Sequence, residues 1–454
     1  MTVQSSPHPD TTHGATAATG RRKHVLLLGM QFPPARGSGV YRLRAWANHL
    51  VKQGYDVTVL CADRDYWLQL TGSLDDDLAA RTDPRVRLIE VKIPREHLIQ
   101  DVRQMSWLHA SFPKAFLEMH RLLQAKFFPE VYAPLIPVYL AAALKVHTRH
   151  RIDLVLASGN PYSMFAVAWI LGKVLRKPYV VDYHDPWTLN VLTEEDVFEP
   201  GHAAFKWERR IVEGAARVVT VNNALCDWYR ERYPKVADRV RLVPLGLAED
   251  IVTAPTFSPV SDDRPLCFGF LGTVRHDLPI EEFLEGWLIA LKAPVMRDAT
   301  MEFYGYLGFF ARHEEQIGRR ILDGITTGVS YKGPVSQTKI PEVFGGLDAL
   351  AMLLPSSKYM TGGKGFDYMA AGRPVVGVHD PRNDTSALFA NYPLFFGVSK
   401  VEPNAIAEAI VAAGTAARSE TFEQFKACRA EALEHTWDIA MAPMAREFGE
   451  IIDG

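Results

Sequence analysis

Short apolar runs alternate with amphipathic stretches over most of the 454-residue chain. Residues 24–29 form an apolar run without helical period, residues 41–53 carry a helical pattern, and residues 56–62 form the next apolar run. Such strand–helix–strand units pack into parallel sheets with right-handed crossovers. The pattern recurs and predicts further strands at residues 154–158, 179–183, 218–221 and 240–244. The first half is therefore predicted to form an open α/β sheet.

A Thr-, Ser-, Pro- and Asp-rich stretch interrupts this pattern and predicts a linker. A second α/β series follows, with predicted strands at residues 266–271, 300–306, 329–332, 349–353, 374–378 and 394–398. The last segment has apolar residues at helical spacing and is expected to cross back onto the first domain. The predicted organisation is a disordered tail at 1–22, a Rossmann-like domain at 23–248, a linker at 249–264, a second Rossmann-like domain at 265–436 and a C-terminal helix at 437–454.

Composition narrows the functional class. At 454 residues the chain exceeds what one hydrophobic core usually holds, which favours two domains. Its 50 Lys and Arg and 53 Asp and Glu give a formal charge of -3, so no general attraction to nucleic acid is expected. The tail lacks the apolar core of a signal peptide, and no apolar run is long enough to predict a membrane span. The four cysteines lie far apart, which indicates reduced thiols and a cytoplasmic location.

Basic and aromatic residues alternate between residues 92 and 146. The aromatic residues there include Trp107, Phe112, Phe116, Phe127, Phe128 and Tyr132. One interpretation is a helical subdomain that buries its aromatic side chains. The other is a surface that meets a membrane or an apolar acceptor, which would place the protein peripherally at the inner membrane face.

Ligands of doubly wound sheets bind beyond the carboxyl ends of the strands, so the loops that follow strands hold the candidate residues. Gly37 and Gly39 lie in the first such loop, where backbone amides and a helix start suit a phosphate or a sugar hydroxyl. Their alternative is a plain tight turn, and the absence of G-x-G-x-x-G counts against a nicotinamide cofactor. His184 follows the strand at 179–183 and can contact ligand hydroxyls, or it can simply hold Asp185.

The second half contributes two cations at predicted loops. Arg275 follows a strand and a glycine turn, and its guanidinium can donate two parallel hydrogen bonds to a diphosphate or make a local ion pair. Gly362 and Gly363 open a predicted helix whose free amides can bind phosphate oxygens, and Lys364 adds a full charge there. Asp367 lies almost one helical turn further on, where it can accept hydrogen bonds from a ribose diol or remain solvated.

The order of these motifs resembles the retaining GT-B glycosyltransferases of family 4. The resemblance covers nearly the whole chain after the tail and rests on the glycine loop and on residues 184–187, 243–246, 333–341 and 366–374. It implies two Rossmann-like domains that face each other across a cleft. It also implies transfer of a sugar from a nucleotide-diphosphate donor to a glycan, lipid-linked or small-molecule acceptor, with retention of anomeric configuration, in polysaccharide or glycoconjugate synthesis.

The resemblance also assigns roles to the candidate residues. It implies that Arg275, Lys364 and the amides near Gly362 and Gly363 contact the donor diphosphate, that Asp367 contacts the ribose, that His184 faces the transferred sugar, and that Gly37 and Gly39 line the acceptor side. The resembled fold uses cationic side chains in place of a metal. No metal or cofactor is therefore expected, and the acidic run at residues 75–77 is interpreted as a solvated loop.

Two departures from the family pattern keep other functions open. The family often carries two glutamates eight positions apart, whereas this chain has Asp367 and, eight residues before it, Tyr359. The lysine commonly found a few residues after the Arg275 position is also absent, and the sequence there reads Asp277-Leu278-Pro279. One alternative is a nucleotide-sugar epimerase of the same fold, which would need acid/base carboxylates at the cleft. The other is a GT-B-like subunit that binds a sugar nucleotide or a partner without turnover.

Overall fold

Two parallel β-sheets, one from each half of the chain, dominate the structure. The computed structural model describes residues 21–93, 128–250, 256–261, 263–308, 326–335, 339–398 and 400–454, with the isolated positions 107, 111, 112, 114, 115, 118 and 321. The predicted tail at 1–22 and the basic, aromatic segment before residue 128 lie mostly outside the described residues. The predicted linker at 249–264 is described only in part.

Seven strands form the first sheet: β1 (His24–Leu28), β2 (Asp56–Ala62), β3 (Arg87–Val91), β4 (Leu154–Gly159), β5 (Tyr179–Tyr183), β8 (Arg217–Thr220) and β9 (Val240–Leu242). They lie in the order β3-β2-β1-β4-β5-β8-β9, and every pair is parallel. In register, Leu26 pairs with Thr58, and Leu27 pairs with Leu156. The inner strands β1, β4 and β5 are buried along their whole length, as expected for a parallel sheet covered on both faces.

The helices of the first half are α1 (Ser38–Lys52), α2 (Arg64–Thr71), α3 (Asp76–Ala80), α4 (Leu135–Arg149), α5 (Ser163–Leu175), α6 (Ala203–Gly214) and α7 (Asn223–Arg232). A short antiparallel hairpin, β6 (Leu189–Asn190) and β7 (Glu195–Asp196), follows β5. The start of α1 lies directly after the predicted glycine loop, and its apolar side chains pack on the sheet. The loops after β1 and β5 therefore lie at the same edge of the sheet.

The acidic run at residues 75–77 begins a helix, which corrects the predicted solvated loop. Asp75 accepts a hydrogen bond of 2.9 Å from the backbone N–H of Leu78 and so caps α3. Asp76 and Asp77 occupy the first turn, where negative charge is favourable near the positive end of the helix. The buried side chain of Leu78 fixes this short helix to the domain.

The second sheet has six parallel strands: β10 (Cys267–Leu271), β11 (Thr300–Tyr304), β12 (Val329–Gly333), β13 (Ala349–Leu353), β14 (Val375–Val378) and β15 (Phe395–Val398). They lie in the order β12-β11-β10-β13-β14-β15. The helices are α8 (Ile280–Ala290), α9 (Ile340–Gly345), α10 (Lys364–Ala371), α11 (Thr385–Leu388), α12 (Pro403–Ser419), α13 (Phe422–Leu433) and α14 (Trp437–Asp453). Within the described part of the chain, every helix falls short of the length and apolarity that a bilayer span requires.

The last helix, α14, belongs to the core of the first half. Its Phe448 stacks on Trp46 of α1 with ring centroids 5.7 Å apart. The chain therefore passes between the two halves twice, once near Leu247 and once near Thr436. Backbone hydrogen bonds join these two passages: Leu247 N–H donates to His435 O at 2.8 Å, and Trp437 N–H donates to Leu247 O at 3.2 Å. A Cβ atom on Gly246 would lie 2.8 Å from the nitrogen of Trp437, so only glycine permits this close approach.

Candidate active site

A cavity of about 610 Å³ lies between the two sheets. Its volume is typical of small-molecule sites. The first half contributes Gly39, Tyr41, Arg42, His184, Asp185, Val191 and Val221, and the second half contributes Thr273, Tyr306, Ile340, Tyr359, Met360, Thr361, Gly363, Lys364 and Asp367. The paired passages contribute Leu245, Gly246, Ala248 and Trp437. The cavity therefore brings together five residues predicted from the sequence, namely Gly39, His184, Gly363, Lys364 and Asp367.

A buried ion pair supports the first-half wall of this cavity. Asp182 in β5 is fully buried and receives two-pronged hydrogen bonds from Arg42 of α1, with Nη2–Oδ1 2.6 Å and Nε–Oδ2 2.8 Å. The indole N–H of Trp46 and the hydroxyl of Ser158 donate to the same carboxylate. Because its oxygens have these partners, the buried charge is compensated, and α1 is fixed relative to the end of β5.

The loop after β5 presents His184 and Asp185 to the cavity. The Nδ1 atom of His184 lies 3.5 Å from Oδ2 of Asp185. The walls of the cleft raise the pKa of Asp185, but the hydrogen bond and charge of His184 and the charge of Arg275 lower it more, so the pKa lies below its ordinary value. Asp185 is therefore ionised at neutral pH.

The glycine loop packs closely against its surroundings. A Cβ atom on Gly39 would lie 3.0 Å from Oε1 of Gln31 and 3.6 Å from Cε1 of His184. A Cβ atom on Gly37 would lie 2.9 Å from the same Gln31 oxygen. Gly39 lines the cavity, whereas Gly37 does not line it and directly precedes α1. A side chain at either position would displace Gln31 and crowd this side of the site.

Arg275 is held by a neighbouring carboxylate. Its Nε atom donates to Oδ1 of Asp277 at 2.8 Å, and its Nη2 atom donates to Oδ2 of the same residue. Arg275 does not line the cavity. The local ion pair, one of the two interpretations of this arginine from the sequence, is therefore present. Its partner is the aspartate found near the position where the resembled family commonly has lysine.

The start of α10 forms the second-half wall. Lys364 Nζ lies 2.9 Å from Oδ2 of Asp367, and both side chains line the cavity. Gly363 lies just before the helix, and a Cβ atom there would be 3.3 Å from Leu245 of the passage between the halves. Gly362 lies behind the cavity wall, where a Cβ atom would approach Leu354 at 3.2 Å. Both glycines thus allow close packing at a helix start, where free amides point outward.

Several residues of the site were not predicted from the sequence. Arg42 and Asp182 form the supporting ion pair, and Trp437 lines the cavity while its ring packs 5.8 Å from the Arg42 guanidinium. Asp182 could have been identified from the sequence, because it is the only charged residue within the predicted strand at 179–183. Among the described residues, no three His, Cys, Asp or Glu side chains come together as a metal site.

Comparisons with known proteins define the fold. Residues 36–246 match the family described as Glycosyl transferase 4-like domain. Among solved structures, sucrose-phosphate synthase from Thermosynechococcus elongatus is similar with a TM-score of 0.62 and 16% identity, over 95% of this chain and 100% of that one. The chain has the GT-B fold. The predicted fold class is therefore confirmed, and the cavity occupies the interdomain cleft of the GT-B fold.

Two further solved structures described as glycosyltransferases or as complexes with UDP share this fold. A glycosyltransferase from Rickettsia africae has a TM-score of 0.62 at 13% identity, over 96% of this chain and 100% of that one. Anabaena HepE in complex with UDP and glucose has a TM-score of 0.59 at 16% identity, over 94% of this chain and 100% of that one. Among curated proteins, none matches the chain in sequence.

Proposed function

We propose that this protein is a glycosyltransferase that transfers a hexosyl group from a nucleotide-diphosphate sugar to an acceptor, with retention of anomeric configuration. One observation carries the proposal: a single interdomain cavity joins His184 and Asp185 of the first half to the helix start at Gly363 and Lys364 of the second. The glycosyl transferase 4-like match of residues 36–246 supports the reaction class. Anabaena HepE, which shares the fold, is described with UDP and with UDP-glucose, which supports a nucleotide-sugar donor.

The donor diphosphate is proposed to bind at the start of α10. The free amides there and the ammonium of Lys364 supply positive potential, and Arg275 can exchange Asp277 for a phosphate because both offer two oxygens to its fork. During transfer the departing diphosphate gains negative charge. Cations placed in advance therefore stabilise the transition state more than the ground state, which is the requirement for catalysis. Asp367 is proposed to contact the ribose once Lys364 turns to the diphosphate.

His184 is proposed to face the transferred sugar, with the acceptor entering beside Gly39. Retention is proposed to follow from attack on the face that the leaving group departs, with a phosphate oxygen of the leaving diphosphate taking the acceptor's proton. Such a reaction requires no protein base. Neither metal nor cofactor is proposed to take part, since the cationic side chains and helix start supply the positive charge. The acceptor is a glycan, a lipid-linked sugar or a small molecule.

The two alternatives differ in what they require of the cavity. An epimerase needs a carboxyl group that can donate a proton, but the lowered pKa of Asp185 keeps that residue ionised, and Asp367 is paired with Lys364. This arrangement favours transfer over epimerisation. A non-catalytic subunit would keep the cavity and bind the sugar nucleotide without turnover.

Incubation with a donor alone separates the three functions. Donor sugars on UDP, GDP and ADP are first ranked by the rise in melting temperature, because a ligand at about a hundredfold its dissociation constant adds about 2.7 kcal/mol of stability. The best donor is then incubated without acceptor, and products are followed by NMR. Slow hydrolysis that releases the sugar in the donor's anomeric configuration supports a retaining transferase. An epimerised nucleotide sugar would show the epimerase, and tight binding without any product would show the non-catalytic subunit.

We also propose that the protein lies in the cytoplasm and contacts the inner membrane face. A groove of about 520 Å³ between β3 and α4 supports this: its rim carries Arg87, Lys92, Lys145, Arg149 and His150 around one acidic residue, and its floor is apolar. Anionic lipid headgroups complement such a rim. Sedimentation with phosphatidylglycerol vesicles tests the contact, and Lys145→Glu combined with Arg149→Glu should abolish it. Equal sedimentation of this variant would contradict it.

A further inference from the structure

The two halves of the protein also meet outside the cavity, along the 356–361 loop of the second half. This loop follows β13 and contacts the hairpin of the first half. Ser357 Oγ donates to Val191 O, and the backbone N–H of Lys358 donates to Glu194 Oε1 at 3.2 Å. Tyr359 packs in a small apolar cluster with Leu189 and other first-half residues. The 356–361 loop is therefore held by the domain to which it does not belong.

Asn222 lies at the centre of this contact. It precedes α7 and is 1% exposed. Its Oδ1 atom accepts from the backbone N–H of Leu225 at 2.8 Å, which caps α7 within the first half. Its Nδ2 atom donates to Tyr359 O at 2.8 Å and to Thr361 Oγ1 at 3.0 Å, both in the second half. The opposite amide orientation would place donor against donor and acceptor against acceptor, so the network itself fixes this one.

The loop that Asn222 holds leads directly to the start of α10. Thr361 is followed by Gly362, Gly363 and Lys364, and the cavity is lined by Thr361, Gly363 and Lys364. Asn222 itself does not line the cavity. A shift of Thr361 therefore moves the helix start, because only two residues lie between Thr361 and Lys364. The buried side-chain amide of Asn222, in the first half, thus influences the position of the second-half wall of the site.

We propose that Asn222 is a positioning residue, which holds the 356–361 loop so that the start of α10 meets the donor diphosphate. The inference rests on the proposed function, since it concerns the same phosphate site. Without the two bonds from Nδ2, the buried carbonyl of Tyr359 loses its partner and the loop samples more conformations. Donor binding must then order the loop, and that cost lowers affinity. Bound donor still meets the same cations, so the chemical step changes little.

Two substitutions isolate this role. Asn222→Asp and Asn222→Ser both keep an oxygen that caps α7, because Asp and Ser are favourable N-cap residues. Both remove the two donors to the second half. The matched control is Asn223→Ala, which removes the exposed side-chain bond of 3.1 Å to Asp384 at the same interface but does not touch the 356–361 loop. Asn222→Ser and Asn223→Ala introduce no buried charge and should fold, whereas Asn222→Asp also places a carboxylate beside the Tyr359 carbonyl, so thermal unfolding of that variant is measured first.

The experiment combines calorimetry with hydrogen exchange. The probe is whichever of UDP, GDP and ADP binds the wild-type protein most tightly. Both Asn222 variants should bind it about tenfold more weakly and raise the donor KM similarly, with kcat within about threefold of wild type, because only the ordering cost changes. In the protein without ligand, amides of residues 357–363 should exchange faster in these variants, while those of α7 keep their protection. Asn223→Ala should resemble the wild type in every measurement.

The outcomes separate the inference from the proposed function. If the wild type binds a nucleoside diphosphate and both Asn222 variants bind it equally well, or if exchange at 357–363 is unchanged, the positioning role is wrong while the proposed function stands. A loss of protection throughout α7 would show a merely structural cap and would also overturn the role. If the wild-type protein binds none of the three diphosphates, the proposed function fails and the positioning role fails with it.

Discussion

Both cations proposed to bind the donor diphosphate are paired with a carboxylate close by in sequence. Arg275 pairs with Asp277, and Lys364 pairs with Asp367. Lys364 is 44% exposed, and exposed pairs contribute at most about 1 kcal/mol, whereas Arg275 is only 31% and Asp277 11% exposed. A diphosphate offers both cations charge-assisted hydrogen bonds of the same kind. For single residues, the proposal therefore requires that a donor displaces Asp367 from Lys364 and Asp277 from Arg275.

Arg275→Ala and Lys364→Ala should each lower kcat by about 10²- to 10³-fold, by analogy with the loss of one oxyanion donor. Asp367→Asn should chiefly raise the donor KM, because a ribose contact is equally strong in the ground and transition states. Melting temperatures of Lys364→Ala and Asp367→Asn should barely move, since that pair is partly exposed. Steady-state kinetics with an identified donor measures both parameters. Near-normal kcat in both alanine variants would refute the diphosphate assignment and favour the non-catalytic subunit.

Turnover should survive excess chelator. The positive potential at the phosphate site is proposed to come from Lys364, Arg275 and the start of α10, and none of these is removed by chelation. The measurement is the initial rate with and without EDTA, after dialysis against the chelator. A loss of activity that magnesium or manganese restores would contradict the proposal.

At the scale of secondary structure, burial decided which elements the sequence could predict. The strands predicted at 56–62, 179–183 and 349–353 agree with β2, β5 and β13 residue for residue, because strands covered on both faces read as continuous apolar runs. β3 was missed. It lies at the sheet edge, and Val91 is its only buried residue, so no apolar run marks it. The two-residue strands of the hairpin are too short to produce a pattern.

The sequence predicted residues of the candidate site only where a polar or charged side chain follows a predicted strand. Loops after strands identified His184, Lys364 and Asp367, all of which line the cavity. The contacts that support the site join positions far apart in sequence: Arg42 meets Asp182 across 140 positions, and Asn222 meets Tyr359 across 137. No local pattern encodes such pairs. For the same reason the sequence left open whether Arg275 faces a ligand or a neighbouring carboxylate.

The start of α5 makes stability depend on pH through Glu130. This carboxylate accepts from the backbone N–H groups of Tyr162 at 2.8 Å and Ser163 at 2.6 Å. Burial raises its pKa to about 7, although these hydrogen bonds lower it. A raised carboxyl pKa means that the folded state binds the proton more tightly than the unfolded state. The contribution of Glu130 to stability is therefore fully present below its ordinary pKa and is lost as pH rises through 7.

Glu130→Gln should remove this dependence. The variant loses part of the cap, so its melting temperature should lie below that of the wild type at pH 5. The difference should shrink, or reverse, as the pH is raised to 8, because only the wild type must then ionise a buried carboxyl group. Thermal unfolding at several pH values measures it. A difference that stays constant from pH 5 to 8 would contradict the raised pKa.

At the scale of the whole molecule, the cavity needs both halves, because His184 lies on one wall and Lys364 on the other. A donor that contacts both walls favours conformations in which they lie close together. Binding should therefore reduce the radius of gyration in small-angle scattering. The free nucleoside, which lacks the phosphates, is the control and should leave the radius unchanged. An unchanged radius with a donor that demonstrably binds would contradict domain closure.

The return of α14 to the first half has a consequence for synthesis of the protein. Met441, Met444 and Phe448 belong to the same core cluster as strand β1 and helix α1. During translation, the first sheet cannot pack against these side chains until the whole second half has left the ribosome. The domain whose synthesis starts first is therefore the last to complete its core. Nascent chains should accordingly keep an exposed apolar face on α1 longer than on any element of the second sheet, which makes that face the natural point of contact for a chaperone.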